Sequence, residues 1–124
     1  MGLDQYAYIV PDNGNLPDTD HDSGSQPMPF IGQWRKHPNL QGWMENLYRS
    51  KGGNAEDFNC VTVRLTDEDL RQLLKDVENN AMPHTEGFFF GVSDRLDDRD
   101  TVEFALRALT AVRAKYAVYY GSWW

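Results

Sequence analysis

Trp34, Arg35, Lys36, His37 and Asn39 place an indole, a guanidinium, an ammonium, an imidazole and a carboxamide within six positions of WRKHPNLQGWM. Cations beside the unpaired N–H groups of a helix start are a common way to hold a phosphate or carboxylate. If one end of the sheet brings this junction near Asp94 or Tyr120, it becomes a cationic, aromatic-lined pocket for a small anion. The bland alternative is a solvated turn, because alternation along a strand sends Trp34 and Lys36 to one face and Arg35 to the other. Tyr119, Tyr120, Ser122, Trp123 and Trp124 form a second aromatic concentration. Core packing explains a terminal strand of this kind, but exposed Trp and Tyr favour partner surfaces. Tyr120 and Trp123 therefore join the hexapeptide as candidate ligand or partner-binding residues.

Other chemistry is sparse. Asp18, Asp20 and Asp22 have the spacing of the first three ligands of a calcium-binding loop, yet Ser23 stands where the sharp turn requires Gly and Pro29 where the bidentate Glu belongs. A solvated acidic loop is the stronger expectation, with no metal site. GFFFG lacks the spacing of phosphate-cradling glycine loops, and its glycines fit tight turns at the ends of a buried strand. His21, His37 and His84 lie in unlike contexts, and no nucleophile or zinc signature accompanies them. The sequence names no reaction, no catalytic residue and no cofactor.

Elements that would position these groups follow from pattern. Residues 3–10 and FIGQWRK (30–36) suggest strands pairing antiparallel around the loop 11–29, whose four prolines, two glycines and four aspartates leave it exposed. Leu40, Trp43, Met44, Leu47 and Tyr48 mark one face of a helix ending at Gly52 and Gly53. Pro38 suits its first turn, and His37 or Asn39 would cap it, Asn39 being the better cap. FNCVTVRL (58–65) predicts a strand, followed by a helix with Thr66 as N-cap, Asp69 completing a capping box, and Leu70, Leu73, Leu74 and Val77 as its buried stripe. EGFFFGV suggests a doubly buried strand and DRLDDRD a charged connector. A third helix is predicted over 100–114, capped by Asp100 and burying Val102, Leu106, Leu109 and Val112, before a final strand YAVYYGSWW. The expectation is a single α+β (or α/β) domain over 1–124, a five-stranded mixed sheet packed by three helices.

The totals agree with that picture. A chain of 124 residues can bury one core without staples. Its net charge of −7 argues against direct nucleic-acid binding, which needs clustered Lys and Arg. Five acids and no Lys or Arg fall in residues 1–29, so the acidity is local. No apolar run is long enough to span a membrane, MGLDQYAYIV does not resemble a signal peptide, and Cys60 is alone, all of which suggest a cytoplasmic protein.

Taken together, MGLD, WRKHPNLQGWM, FNCV, GFFFG and the terminal SWW resemble a family of small proteins of unknown function encoded by bacteriophages and prophages. Relatives carry WRKHPNLHGWM, so Gln41 stands where many have His. Members sometimes bear an automatic phosphoglycerate kinase label, which a chain without two lobes or phosphate-binding motifs does not support. The resemblance maps the shared segments onto Trp34 to Asn39, Trp43, Gly87 to Gly91, and Ser122 to Trp124. It implies an accessory protein in the cytoplasm of a host bacterium, most simply a non-enzymatic binder of a host protein with a basic surface. The alternative is a small-ligand protein or enzyme with its site at Trp34 to Asn39.

Overall fold

The two aromatic, β-branched ends of the chain pair with each other along eight positions, from Asp4↔Trp123 to Pro11↔Tyr116. The computed structural model describes residues 2–21, 29–83, 85 and 95–124. Its elements run β1 (Asp4–Pro11), β2 (Phe30–Arg35), α1 (Pro38–Ser50), β3 (Thr62–Leu65), α2 (Asp67–Glu78), α3 (Arg95–Arg113) and β4 (Tyr116–Trp123). The fold is α+β, with strand order β2-β1-β4-β3 and antiparallel pairing throughout these strands.

A mixed sheet is therefore corrected to an antiparallel one among the described residues. In the order β2-β1-β4-β3, β2 and β4 run one way and β1 and β3 the other, so both helical connections, α1 between β2 and β3 and α2 with α3 between β3 and β4, bring the chain back reversed. The fifth strand expected at 86–92 lies outside the described residues. No helix among the described residues is long and apolar enough to cross a membrane.

Period-2 alternation divides the sheet. Ala7, Trp34, Val63, Leu65, Val118 and Tyr120 face the helices and share one buried cluster with Leu40, Met44, Tyr48, Leu70, Leu73 and Phe104. Aromatic rings connect its layers. Tyr48 lies 5.2 Å from Phe58, Phe58 6.1 Å from Tyr120, Tyr120 6.2 Å from Trp34, and Trp34 packs edge-on to Phe104 at 4.9 Å.

The helices largely follow their patterns. In α1, Leu40, Trp43, Met44 and Tyr48 are buried. In α2 the capping box closes both ways, as Asp69 N–H donates to Thr66 Oγ1 at 3.3 Å and Thr66 N–H to Asp69 Oδ2 at 2.9 Å. The same carboxylate takes Lys51 Nζ at 2.6 Å, which ties the end of α1 to the start of α2.

Helix α3 differs from expectation at its start and along its stripe. It begins at Arg95, so the charged connector forms its first turns and Asp100 is interior. The Arg99–Glu103 pair at 3.8 Å shows acids and bases spaced for a helix surface, not a loop. Its buried positions are Thr101, Phe104, Ala105, Ala108 and Leu109, while Leu106 is 55% exposed. Alanines face the core because they let the helix approach closely, and counting large side chains alone rotates the stripe. The third strand is also shorter than FNCVTVRL, since Cys60 adopts φ 60 and only Thr62–Leu65 remain regular.

Two substitutions test this account. Thr66→Ala should lower stability by about 1 kcal/mol in urea unfolding, the usual loss for an N-cap. Gly121→Ala should cost more, because the added Cβ would stand 2.8–2.9 Å from atoms of the Tyr6 side chain; equal stability would refute that packing.

Candidate functional site: the open face of the sheet

The face away from the helices carries Asp4, Tyr6, Tyr8 and Val10 on β1, opposite Trp123, Gly121, Tyr119 and Ala117 on β4. On β2, Arg35 and Gln33 lie opposite Asp4 and Tyr6. A register shift between Ala7 and Tyr8 then places Phe30 against Tyr8. None of the described helices covers these residues, and two different things happen along the strip.

One half is covered by the segment after β1. Asp20 N–H donates to Thr62 O and Arg64 N–H to Asp18 O, each at 2.8 Å, around a Thr19↔Val63 bridge. The His21 ring stacks on Tyr119 with centroids 4.4 Å apart and planes at 17°, and its Nδ1 lies 2.7 Å from the Tyr8 hydroxyl. Tyr119 O–H donates to Pro17 O at 2.6 Å, and Arg64 pairs with Asp12 at 2.8 Å. The backbone N–H of Gly14 and the Arg64 guanidinium hold Asp12 below the usual carboxylate range. Of the expected exposed loop, residues 18–21 are thus fastened to the sheet.

The three-aspartate calcium pattern is taken up differently. Asp20 Oδ1 accepts from the Tyr48 hydroxyl at 2.8 Å, and Asp22 lies outside the described residues. Among the described residues no three His, Cys, Asp or Glu side chains are grouped to hold a metal.

The other half is open. Trp123 is 62% exposed and Phe30 55%, flanking the half-buried Tyr6, whose ring lies 5.7 Å from that of Phe30. Tyr6, Phe30, Gln33, Arg35, Asp4 and Trp123 contribute to a shallow hollow of about 570 Å³, within the range of ligand-sized clefts. A second hollow of about 420 Å³ lies beyond Trp123, against Asn59, Cys60 and Trp124. Asp4 borders both, and its Oδ2 accepts from the Trp123 indole at 3.1 Å.

Only Trp34 and Arg35 of the hexapeptide line the hollow beside Trp123. Trp34 is buried under α3 and His37 is fully buried, with Nε2 3.8 Å from the Asp98 carboxylate. His37, not Asn39, is the N-cap of α1, and it makes no side-chain capping bond. Asn39 Oδ1 instead accepts from Thr85 N–H at 3.1 Å. Lys36 adopts φ 59, which ends the strand and breaks the alternation that would have aligned it with Trp34. Arg35 projects on the open face, its Nε 3.9 Å from Asp4. Of the candidate residues, Arg35 and Trp123 meet at one hollow, which the buried Trp34 also lines, while His37 and Tyr120 belong to the interior.

Tyr120 holds that interior together. Its hydroxyl accepts from Gln5 Nε2 at 2.8 Å and donates to Gln41 Oε1 at 2.6 Å. Gln5 brackets the His37 backbone, donating to its carbonyl at 2.9 Å and accepting from its N–H at 2.8 Å. Gln41 Nε2 donates to Phe58 O at 3.0 Å. Gln41 is thus a buried structural amide, whatever His does at that position in the resembling proteins. Pattern reading missed Asp4, Tyr6, Phe30 and Gln33, although the alternation of DQYAY already put Asp4, Tyr6 and Tyr8 on one side.

No protein-family model, curated protein or solved structure matches the chain.

Burial pushes the Tyr119 hydroxyl up to about 12 and raises that of Tyr120 further still. Both states keep these protons below about pH 10, where an unfolded tyrosine ionises. Between about 10 and 12 the unfolded chain loses a proton that the fold retains on Tyr119, so stability falls as pH rises. Urea unfolding from pH 8 upward should show that decline, and Tyr119→Phe should make it shallower. Separately, Tyr120→Phe should cost about 1–3 kcal/mol by stranding two buried carboxamides, and an unchanged midpoint would refute the network.

Proposed function

We propose that this chain is a non-enzymatic binding protein that docks onto another protein through the open aromatic face, steered by its net charge of −7 toward a basic surface. The observation that carries this is the pair of largely exposed rings, Trp123 and Phe30, standing beside Tyr6 around one hollow. Rings that a fold leaves in water while burying Tyr48, Tyr119 and Tyr120 completely are the side chains that dominate protein interfaces. The likeness to small phage proteins supports a host bacterial protein as the partner and the host cytoplasm as the place of action. An anion site at residues 34–39 has less support, since the His37 ring is buried and Asn39 is engaged with Thr85.

The immobilised chain, incubated with lysate of a host bacterium, should retain a partner at low salt and release it as ionic strength rises beyond screening of exposed charges. A Phe30→Ala, Trp123→Ala double variant should lose that partner, and Lys36→Ala should keep it. Retention by the double variant, or nothing retained at low salt, would overturn the reading.

A further inference from the structure

The open face carries more than apolar rings, and the covered half shows what such a face accepts. There the chain lays its own segment across the strip, with a planar nitrogen ring, His21, stacked on Tyr119 and the carbonyl of Pro17 bonded to the same tyrosine. The uncovered half continues the same surface, since Tyr6 stacks beside Tyr8 at 6.4 Å and 22°. It adds an exposed indole and a half-exposed carboxylate that, unlike Asp12 on the covered half, has no cation within hydrogen-bond distance. Asp4 is engaged on one oxygen by the Trp123 indole N–H. Its other oxygen is 3.9 Å from Arg35 Nε, beyond hydrogen-bond distance, with the two side chains 51% and 71% exposed. A carboxylate so placed retains acceptor capacity for a two-pronged donor.

From this geometry we infer that the open face takes an arginine side chain of an extended, basic partner segment, its guanidinium laid against Trp123 and Tyr6 and paired with Asp4. The inference rests on the reading of this face as the docking surface. Arginine fits where lysine does not, because a planar guanidinium stacks on an aromatic face and meets a carboxylate with two parallel N–H groups, whereas an ammonium is a compact, strongly hydrated point charge. A polyanion would meet the repulsion of an acidic chain, and a neutral ligand would leave the Asp4 charge with only its distant Arg35 partner. Arg35 is then the resident competitor, and its removal frees the carboxylate.

Three synthetic peptides, acetylated and amidated repeats of Pro-Arg, Pro-Lys and Pro-Gln, test this by calorimetry and by the amide and indole resonances of the full chain. The arginine repeat should bind about tenfold or more tighter than the lysine repeat and shift the Trp123 indole and Asp4 amide resonances. Asp4→Asn, nearly isosteric, should weaken it by a similar factor, and Arg35→Ala should strengthen it. Equal binding of the arginine and lysine repeats, no effect of Asp4→Asn in a chain with an unchanged melting midpoint, or equal binding of a thymidine oligonucleotide would overturn the inference. If the arginine repeat fails while Phe30→Ala, Trp123→Ala still abolishes partner retention, the arginine inference falls and the docking face stands. If the double variant also keeps its partner, both fall.

Discussion

The Tyr120 hydroxyl is the point on which this architecture depends. It sits on a central strand, fully buried, where a polar group without partners is costly. Two glutamines satisfy it, and they come from different elements. Gln5 belongs to β1 and Gln41 to α1, so one oxygen sets the distance between the sheet and its first helix. Gln5 then grips both backbone groups of His37, which fixes where the chain leaves β2 and enters α1. Gln41 passes the constraint to Phe58, whose carbonyl also accepts the Trp124 indole at 3.0 Å. The last residue of the chain is thereby tied to the segment that precedes β3. Such a network is all or nothing, because each carboxamide has few other partners within reach.

This polar knot decides which side of the sheet is free. Between the helices and the sheet, rings pack in sequence from Tyr48 to Phe104, and a hollow of about 410 Å³ opens where β2 meets α3, beside Trp34 and Phe104. Of the polar hexapeptide, Trp34 and His37 are spent on building this side. On the opposite surface the strands offer alternate residues that the core does not need. The division is a direct result of period-2 geometry, since the strand that buries Trp34 must turn Arg35 outward.

Local signals in the sequence were strong where one element supplied the whole explanation. The capping box at Thr66 and Asp69 and the apolar stripe of α1 needed no knowledge of neighbours. Antiparallel pairing of β1 with β2 was equally legible, from two strands around one polar loop. What failed depended on contacts between distant parts. His37 appears in sequence as an exposed titratable group, and only Gln5, 32 residues earlier, explains its inward position. The stripe of α3 was misjudged because alanine's small size matters only once a sheet is placed against it. The open face was missed for a related reason. Alternation identifies which residues share a side, but it takes the three-dimensional arrangement to tell which side the helices leave bare. Lys36 illustrates the limit best, as its positive φ takes it out of the alternation that Trp34 and Arg35 obey.

The small bridge at Thr19 has a consequence for life in a crowded cell. A sheet that ended at β3 would present bare N–H and C=O groups to any passing chain, an invitation to runaway zipping. Here the exposed flank is a scrap of backbone between Pro17 and the left-handed Asp20, too short and too bent to template another strand. An aspartate-rich detour between two strands thus serves as a selvedge, finishing the fabric on that side so that it does not unravel into aggregates.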